Sequence, residues 1–303
     1  MRTLRIGLVF GVLEDPASGS STPWSEIRRR AVWAEEVGFD TVWVPDELLW
    51  EPEGWPGPRG WWEAVAIAAA VAEATSTITV GTGVLSALHR NPALTAKVVS
   101  TLDEISGGRL IFGFGAGHSG KQGTAFGFPT EAIVGRYEEA LQIVVPLLRG
   151  RTVDFEGRYH RASVVNRPSG PRPGGVPIML AGHGPRTIGL AARFGDIWSA
   201  YATMGSHPPA FIPMLKALDE ACAEIGRDPA TIGRSIAVDI VPEGFEPSAL
   251  IGTSDPIAGS PDEIAEVVRE FADLGVTSLE FMVAPHEPAA LEAAAEVLRR
   301  LDA

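Results

Sequence analysis

The chain has 303 residues, 45% of them hydrophobic, enough for one large core or two ordinary ones. A formal net charge of -13 argues against binding a nucleic-acid backbone, which clustered Lys and Arg drive by releasing counterions, and against anionic membrane surfaces. Cys222 is the only cysteine, which excludes an intrachain disulfide; the expected place is the reducing cytoplasm, with Cys222 as a buried helix residue.

The N-terminus "MRTLRIGLVFGVLEDP" has two arginines before a short apolar run, as a signal peptide would. "EDP" stands where a small-residue cleavage site belongs, so residues 5–10 read as a first strand. "WSEIRRRAVWAEEVG" reads as the first helix, and residues 41–44 as a second strand closed by Asp46 and Glu47. Then comes "LLWEPEGWPGPRGWW". Counting Trp43, five of the eight tryptophans (Trp43, Trp50, Trp55, Trp61, Trp62) fall around this loop, and rigid apolar faces beside a polar mouth suit a flat aromatic ligand. "AVAIAAAVAEAT" is too short to span a bilayer and is interrupted by Glu73.

Residues 78–81 form the third expected strand and 110–114 the fourth. The fourth runs into "GFGAGHSGKQGTAFGFP", a literal G-x-G-x-x-G at Gly115, Gly117 and Gly120. A dinucleotide fingerprint needs those glycines to open a helix and an acid to end a second strand about 20 residues later. Here Gly123, Gly127 and Pro129 follow with no helical period, and the acids at that distance, Glu138 and Glu139, lie within a helical pattern, so a Rossmann site is excluded. "TVDFEGRYHRASVV" alternates around Glu156 and Gly157 and predicts a hairpin.

The last four strands are expected at 177–181, 196–199, 235–240 and 278–283. After the fifth, Gly182 and Gly184 precede Pro185, Arg186 and Thr187 at a helix start, where backbone N–H groups, a hydroxyl and a guanidinium can meet an anion. Eight βα units with no composition break favour an α/β (β/α)8 TIM barrel, one domain over residues 1–303, with insertions at 48–60, 153–175 and 242–259. Barrel chemistry sits where strands end, and four of the six histidines (His89, His118, His183, His286) fall there. No H-x-H or H-x-x-x-H pair supports a metal site, and "GHSGK" lacks the spacing of a nucleophile elbow.

"NPALTAKVVSTLDEISGGRLIFGFGAG", "AFGFP", "GRYEEALQIVVPLLRG", "TVDFEGRYH" and "PIMLAGHGPRTIGLAARFGDIWSA" together resemble the bacterial luciferase-like family of flavin and deazaflavin oxidoreductases, from first strand to last helix. The resemblance implies a (β/α)8 barrel that binds coenzyme F420, or alternatively FMN, and acts on a small organic substrate. It implies cofactor contacts at Asp46, Gly83, Val84, Gly113, Gly115, Gly117, Gly182, His183, Gly184, Arg186 and Thr187, with a non-prolyl cis peptide at Gly83-Val84. Trp50, Trp55 and His286 are the expected substrate-pocket residues.

Where many relatives carry "DH" after the second strand, this chain has Asp46-Glu47, and His118 stands where the F420-dependent sugar-phosphate enzymes carry an acid. Acid and histidine have exchanged places, so Glu47 and His118 are the candidate proton-transfer pair and the sugar-phosphate activity does not carry over. Arg90, Lys97 and Lys121 read as solvated cations, with the anionic cofactor tail as the alternative contact. The expected enzyme is a cytoplasmic F420-dependent oxidoreductase, a homodimer served by a separate flavin or F420 reductase. The alternatives are an FMN monooxygenase and a non-catalytic flavin-binding protein.

Overall fold

The computed structural model describes residues 2–15, 18–51, 57–118, 120–201, 205–247 and 255–303. Eight parallel strands lie side by side in chain order: β1 (Arg5–Val9), β2 (Thr41–Val44), β3 (Thr79–Thr82), β4 (Leu110–Gly115), β5 (Ile178–Ala181), β6 (Ile197–Tyr201), β7 (Gly233–Pro242) and β8 (Ser278–Val283). Pairing of β8 with β1 (Leu8 opposite Phe281) and of β4 with β5 (Ile178 opposite Phe112) closes the ring. Each strand stands where the sequence puts it, and the ends shift by a few residues. The seventh runs longest, because Ile257–Gly259 from the predicted third insertion pairs with its end.

Among the described residues the longer helices around the barrel are α1 (Trp24–Val37), α2 (Ala64–Ala74), α3 (Pro92–Ile105), α4 (Ile133–Leu148), α5 (Pro185–Phe194), α6 (Ile212–Glu224), α7 (Pro261–Asp273) and α8 (Pro288–Asp302). Local chemistry sets their ends. The Asn91 side chain accepts from the N–H groups of Ala93 and Leu94, and Ser260 with Glu263 forms a capping box ahead of Pro261. Cys222 is buried on α6, as expected. Among the described residues no helix is long and apolar enough to cross a membrane.

Alternate residues of each strand face outward onto the helices or inward to the barrel axis. Phe112 and Phe114 face out, the latter edge-on to Tyr137 of α4. Inside, Trp43 is 2% exposed and fills the space left by two glycines: a Cβ on Gly7 or Gly81 would lie 2.3 Å or 2.1 Å from its ring. Trp43 is therefore a core residue, not part of an aromatic ligand face.

The 153–175 insertion holds the predicted hairpin, Thr152–Glu156 paired with Arg161–Val165, and the 48–60 insertion holds a short antiparallel ribbon, Leu49–Trp50 with Arg59–Gly60. One reading needs correcting. The glycine-rich run after Gly120 does form a helix, Gly120–Phe126, although its sequence has no helical period. Tertiary contacts hold it: Gln122 is buried under the second-strand loop, and Phe126, Phe128 and His89 form consecutive ring stacks. At seven residues it is too short to be the crossover helix of a dinucleotide fold.

Candidate active site

At the C-terminal ends of the strands a cavity of about 400 Å³ opens into the barrel. Its wall is largely apolar, with Val9, Phe10, Leu13, Trp50, Trp61, Val84 and Met282, and its polar members come from six different strand ends. That is where barrel enzymes assemble chemistry from separate loops.

Glu47 and His118 meet at this cavity, Oε1 to Nε2 at 2.8 Å. The hydrogen bond to Glu47 raises the His118 pKa, against the opposing effect of partial burial. Gln122, absent from the residues expected from sequence, completes the set. Its Nε2 donates to Glu47 Oε2 while its Oε1 accepts from the Leu48 N–H at 3.0 Å, so a buried amide fixes the carboxylate from behind. The helical turn after Gly120 carries it there, and that turn was hidden by its glycines.

Asp46, next in sequence to Glu47, points the other way. It accepts two hydrogen bonds from Arg90, at 2.6 Å and 2.9 Å, and one from the Ser86 N–H at 2.8 Å, and lies 3.2 Å from His89 Nδ1. Burial alone would raise its pKa, but the bonds from His89, Arg90 and Ser86 and the Arg90 charge hold it at about 2. Asp46 thus ties the second strand to the loop after the third, and is not on the cavity wall. Arg90, read from sequence as a solvated cation, is the half-buried partner of that tie and also pairs with Glu63. Lys121 pairs with Glu51 at 2.7 Å, and Lys97 donates to the Arg167 carbonyl.

The Gly83-Val84 peptide is cis, and both residues line the cavity. Gly113, Gly115 and Gly117 do not. They make room for this bulge and its neighbours: added Cβ atoms would lie 1.9 Å from the Thr82 carbonyl oxygen, 2.8 Å from Val84 Cγ2 and 2.1 Å from Ser86 Oγ. Where the resemblance implies contact with the cofactor, the close approach these glycines permit in the structure is that of the third strand and its loop.

At the fifth strand end, His183 lines the cavity and its Nε2 accepts from the Tyr201 N–H at 3.0 Å. Gly182 leaves space for Thr187, whose hydroxyl donates to the Gly184 carbonyl at 3.0 Å. Gly184 is the N-cap of α5, and no side chain caps that helix start. Arg186 lies outside the cavity, paired with Glu138 beside a groove of about 690 Å³. Thr187 and Arg186 are thus engaged within the protein, and the backbone N–H groups of the first turn are what an anion would meet first.

Trp50 is on the cavity wall as expected, joined by Trp61, while Trp55 lies outside the described residues. His286 is on the wall, accepting from the Gly11 N–H at 3.3 Å; burial and the charge of Arg30 push its pKa down to about 3, so it is neutral. His89 is not at the mouth but stacked on Phe128. Sequence reasoning also missed Ser199, Tyr201, Asp239 and Glu280 on the opposite wall. A signal was available, since a lone acid in each of "SIAVDIV" and "SLEFMV" falls on the inward face by simple alternation.

A closed (β/α)8 barrel with a carboxylate-imidazole pair at its C-terminal mouth defines the class as a barrel enzyme. Residues 4–245 match the luciferase-like monooxygenase family, and the chain belongs to that family of oxidoreductases. It is 30% identical over 237 residues to a 5,10-methylenetetrahydromethanopterin reductase of Archaeoglobus fulgidus, covering 77% of this chain and 66% of that one. It is 33% identical over 224 residues to an F420-dependent glucose-6-phosphate dehydrogenase of Amycolatopsis mediterranei, covering 69% and 63%. The matches thus span less than two thirds of those two relatives' lengths. The structure of an F420-dependent secondary alcohol dehydrogenase with an F420-acetone adduct shares the fold, with a TM-score of 0.81 over 99% of both chains at 19% identity.

Proposed function

We propose that this chain is an F420-dependent oxidoreductase that reduces or oxidises a small organic molecule in the barrel cavity. The observation that carries the reading is the Glu47-His118 pair, 2.8 Å apart on the wall of a largely apolar chamber. The residues suit a flat, phosphate-bearing cofactor: Trp50 and Trp61 offer ring faces, and the uncapped start of α5 offers N–H groups to a phosphate. The deazaflavin, when bound, supplies or accepts a hydride.

The chain's own residues supply the proton. A substrate oxygen that gains negative charge takes a proton from His118, and Glu47 stabilises the imidazolium before transfer and orients the ring. In the oxidative direction the same pair accepts the hydroxyl proton. Gln122 keeps Glu47 in place while this happens. The protein is expected to work in the cytoplasm as a homodimer. FMN is the second reading, supported by the same fold in a riboflavin lyase structure with modified FMN, at a TM-score of 0.82; it would require reduced flavin from a separate reductase.

The test is titration of the purified protein with F420 and FMN in turn, followed by single-turnover kinetics. Tighter F420 binding with hydride transfer to or from a substrate is the expected result. Tighter FMN binding favours the monooxygenase, binding without turnover of any substrate favours a flavin-binding protein, and failure to bind either cofactor overturns the reading.

A further inference from the structure

Across the cavity from the Glu47-His118 pair stands a carboxyl that the proton-transfer role does not use. Alternation along β8 turns Glu280 inward, where it is 5% exposed and lies on the cavity wall. Ser235 Oγ at 2.7 Å and Ser199 Oγ at 3.2 Å both donate to its Oε1. Oε2 receives no hydrogen bond from the described residues. That oxygen is open to the cavity, so a donor on a ligand can reach it and add a hydrogen bond that the described residues do not supply.

The rest of the wall bears on what that donor is. Glu47 and Asp239 are also there, Asp239 accepting from the Tyr201 hydroxyl at 3.3 Å. Among the described residues of the wall none is lysine or arginine. Protonated His118 is already paired with Glu47, so a substrate phosphate or carboxylate would lie beside carboxyl groups in a largely apolar chamber, which is unfavourable. A hydroxyl or amine would satisfy the open oxygen.

We propose that Glu280, held by Ser199 and Ser235, is the recognition group for a hydroxyl or amino group of the substrate, so that the enzyme selects neutral or cationic donors over anions. This rests on the reading of the cavity as the substrate chamber of an oxidoreductase. A phosphorylated sugar, the substrate named for the Amycolatopsis mediterranei relative, is then a poor ligand here.

Benzylamine, benzyl alcohol, benzoate and phenyl phosphate share a ring that suits Trp50 and Trp61 and differ in the polar group. Their binding to the full chain, with and without F420, is measured by calorimetry at about pH 8.5, above the value of about 7 to which burial raises Glu280, so that the carboxyl is ionised. The amine and alcohol should bind at least about tenfold more tightly than the two anions, the size expected for one hydrogen bond to a charged acceptor. Glu280→Gln should erase most of the amine's advantage, and Ser199→Ala, which leaves the carboxyl in place with Ser235 as its remaining donor, should reduce it and serves if the first variant fails to fold. Equal binding of the four probes, or an amine preference that survives both substitutions, overturns the proposal. If F420 fails to bind while the preference is present and lost on substitution, recognition by Glu280 stands and the cofactor assignment falls.

Discussion

Glu47 Oε1 and His118 Nε2 lie 2.8 Å apart although 71 positions separate them in the chain. Because this bond is the main cause of the raised His118 pKa, Glu47→Gln should lower it, as read from the imidazole proton shifts in an NMR titration. The same variant and His118→Ala should slow single-turnover hydride transfer at least about tenfold, or about 1.4 kcal/mol of transition-state stabilisation, with cofactor affinity kept. An unmoved His118 titration would show that the pair is not coupled.

Gln122 is the brace behind that pair. Gln122→Leu removes the donor to Glu47 and the acceptor for the Leu48 N–H, so stability should fall by about 1–3 kcal/mol and turnover should drop while the protein still folds. Urea unfolding and single-turnover rates on one preparation check both. Gln122→Glu keeps the acceptor and sets a second carboxyl against Glu47, so it should rescue stability more than rate.

Asp46→Asn should be a folding variant. It leaves the half-buried Arg90 with Glu63 and a neutral amide as partners, a loss of about 2 kcal/mol, below the usual cost of breaking a fully buried pair. The wild-type contribution is present above pH 3.8, the ordinary aspartate value, and is lost as pH falls through about 2. Denaturation midpoints of wild type and variant should therefore converge in strong acid.

Glu280 works in the opposite sense. Burial raises its pKa from 4.5 to about 7, against the hydrogen bonds from Ser235 and Ser199, so the folded state holds a proton that the unfolded state releases. Its contribution is complete below pH 4.5 and is lost as pH rises through about 7, a decline of ~3 kcal/mol that Glu280→Gln should abolish. Thermal melts from pH 4 to pH 8 would show the two slopes, and parallel slopes would mean the carboxyl is not desolvated.

Gly113→Ala should destabilise more than Gly115→Ala. The first puts a methyl 1.9 Å from the Thr82 carbonyl oxygen, which is backbone, and the second 2.8 Å from a methyl of Val84. Overpacking of this kind costs about 1–3 kcal/mol or more, with the larger value where the obstacle cannot rotate away. Chemical denaturation of both variants ranks them.

The eight strands were legible because apolar runs alternate with helical patterns, several of which start with Asn, Ser or Pro, and Asn91 and Ser260 do cap the helices they announce. The Glu47-His118 pair was legible because barrel strands end at one mouth. Orientation was less so: Asp46 and Glu47 are chemically alike, and only the packing of Arg90 decides which of them turns inward to protein. The resemblance assigned the glycines of β4 to the cofactor, whereas in the fold they make room for Thr82, Val84 and Ser86. Gln122 was hidden because tertiary contacts, not sequence period, make its helix, whereas Glu280 was visible by alternation and was passed over for the histidines.

The back-to-back placement of Asp46 and Glu47 puts two neighbouring codons under separate selection. A library of random substitutions sorted for protein abundance should deplete nearly every change at 46 and tolerate many at 47, while sorting for turnover should deplete both. A lineage could therefore replace the residue at 47, trading one chemistry for another, without losing the fold that position 46 secures.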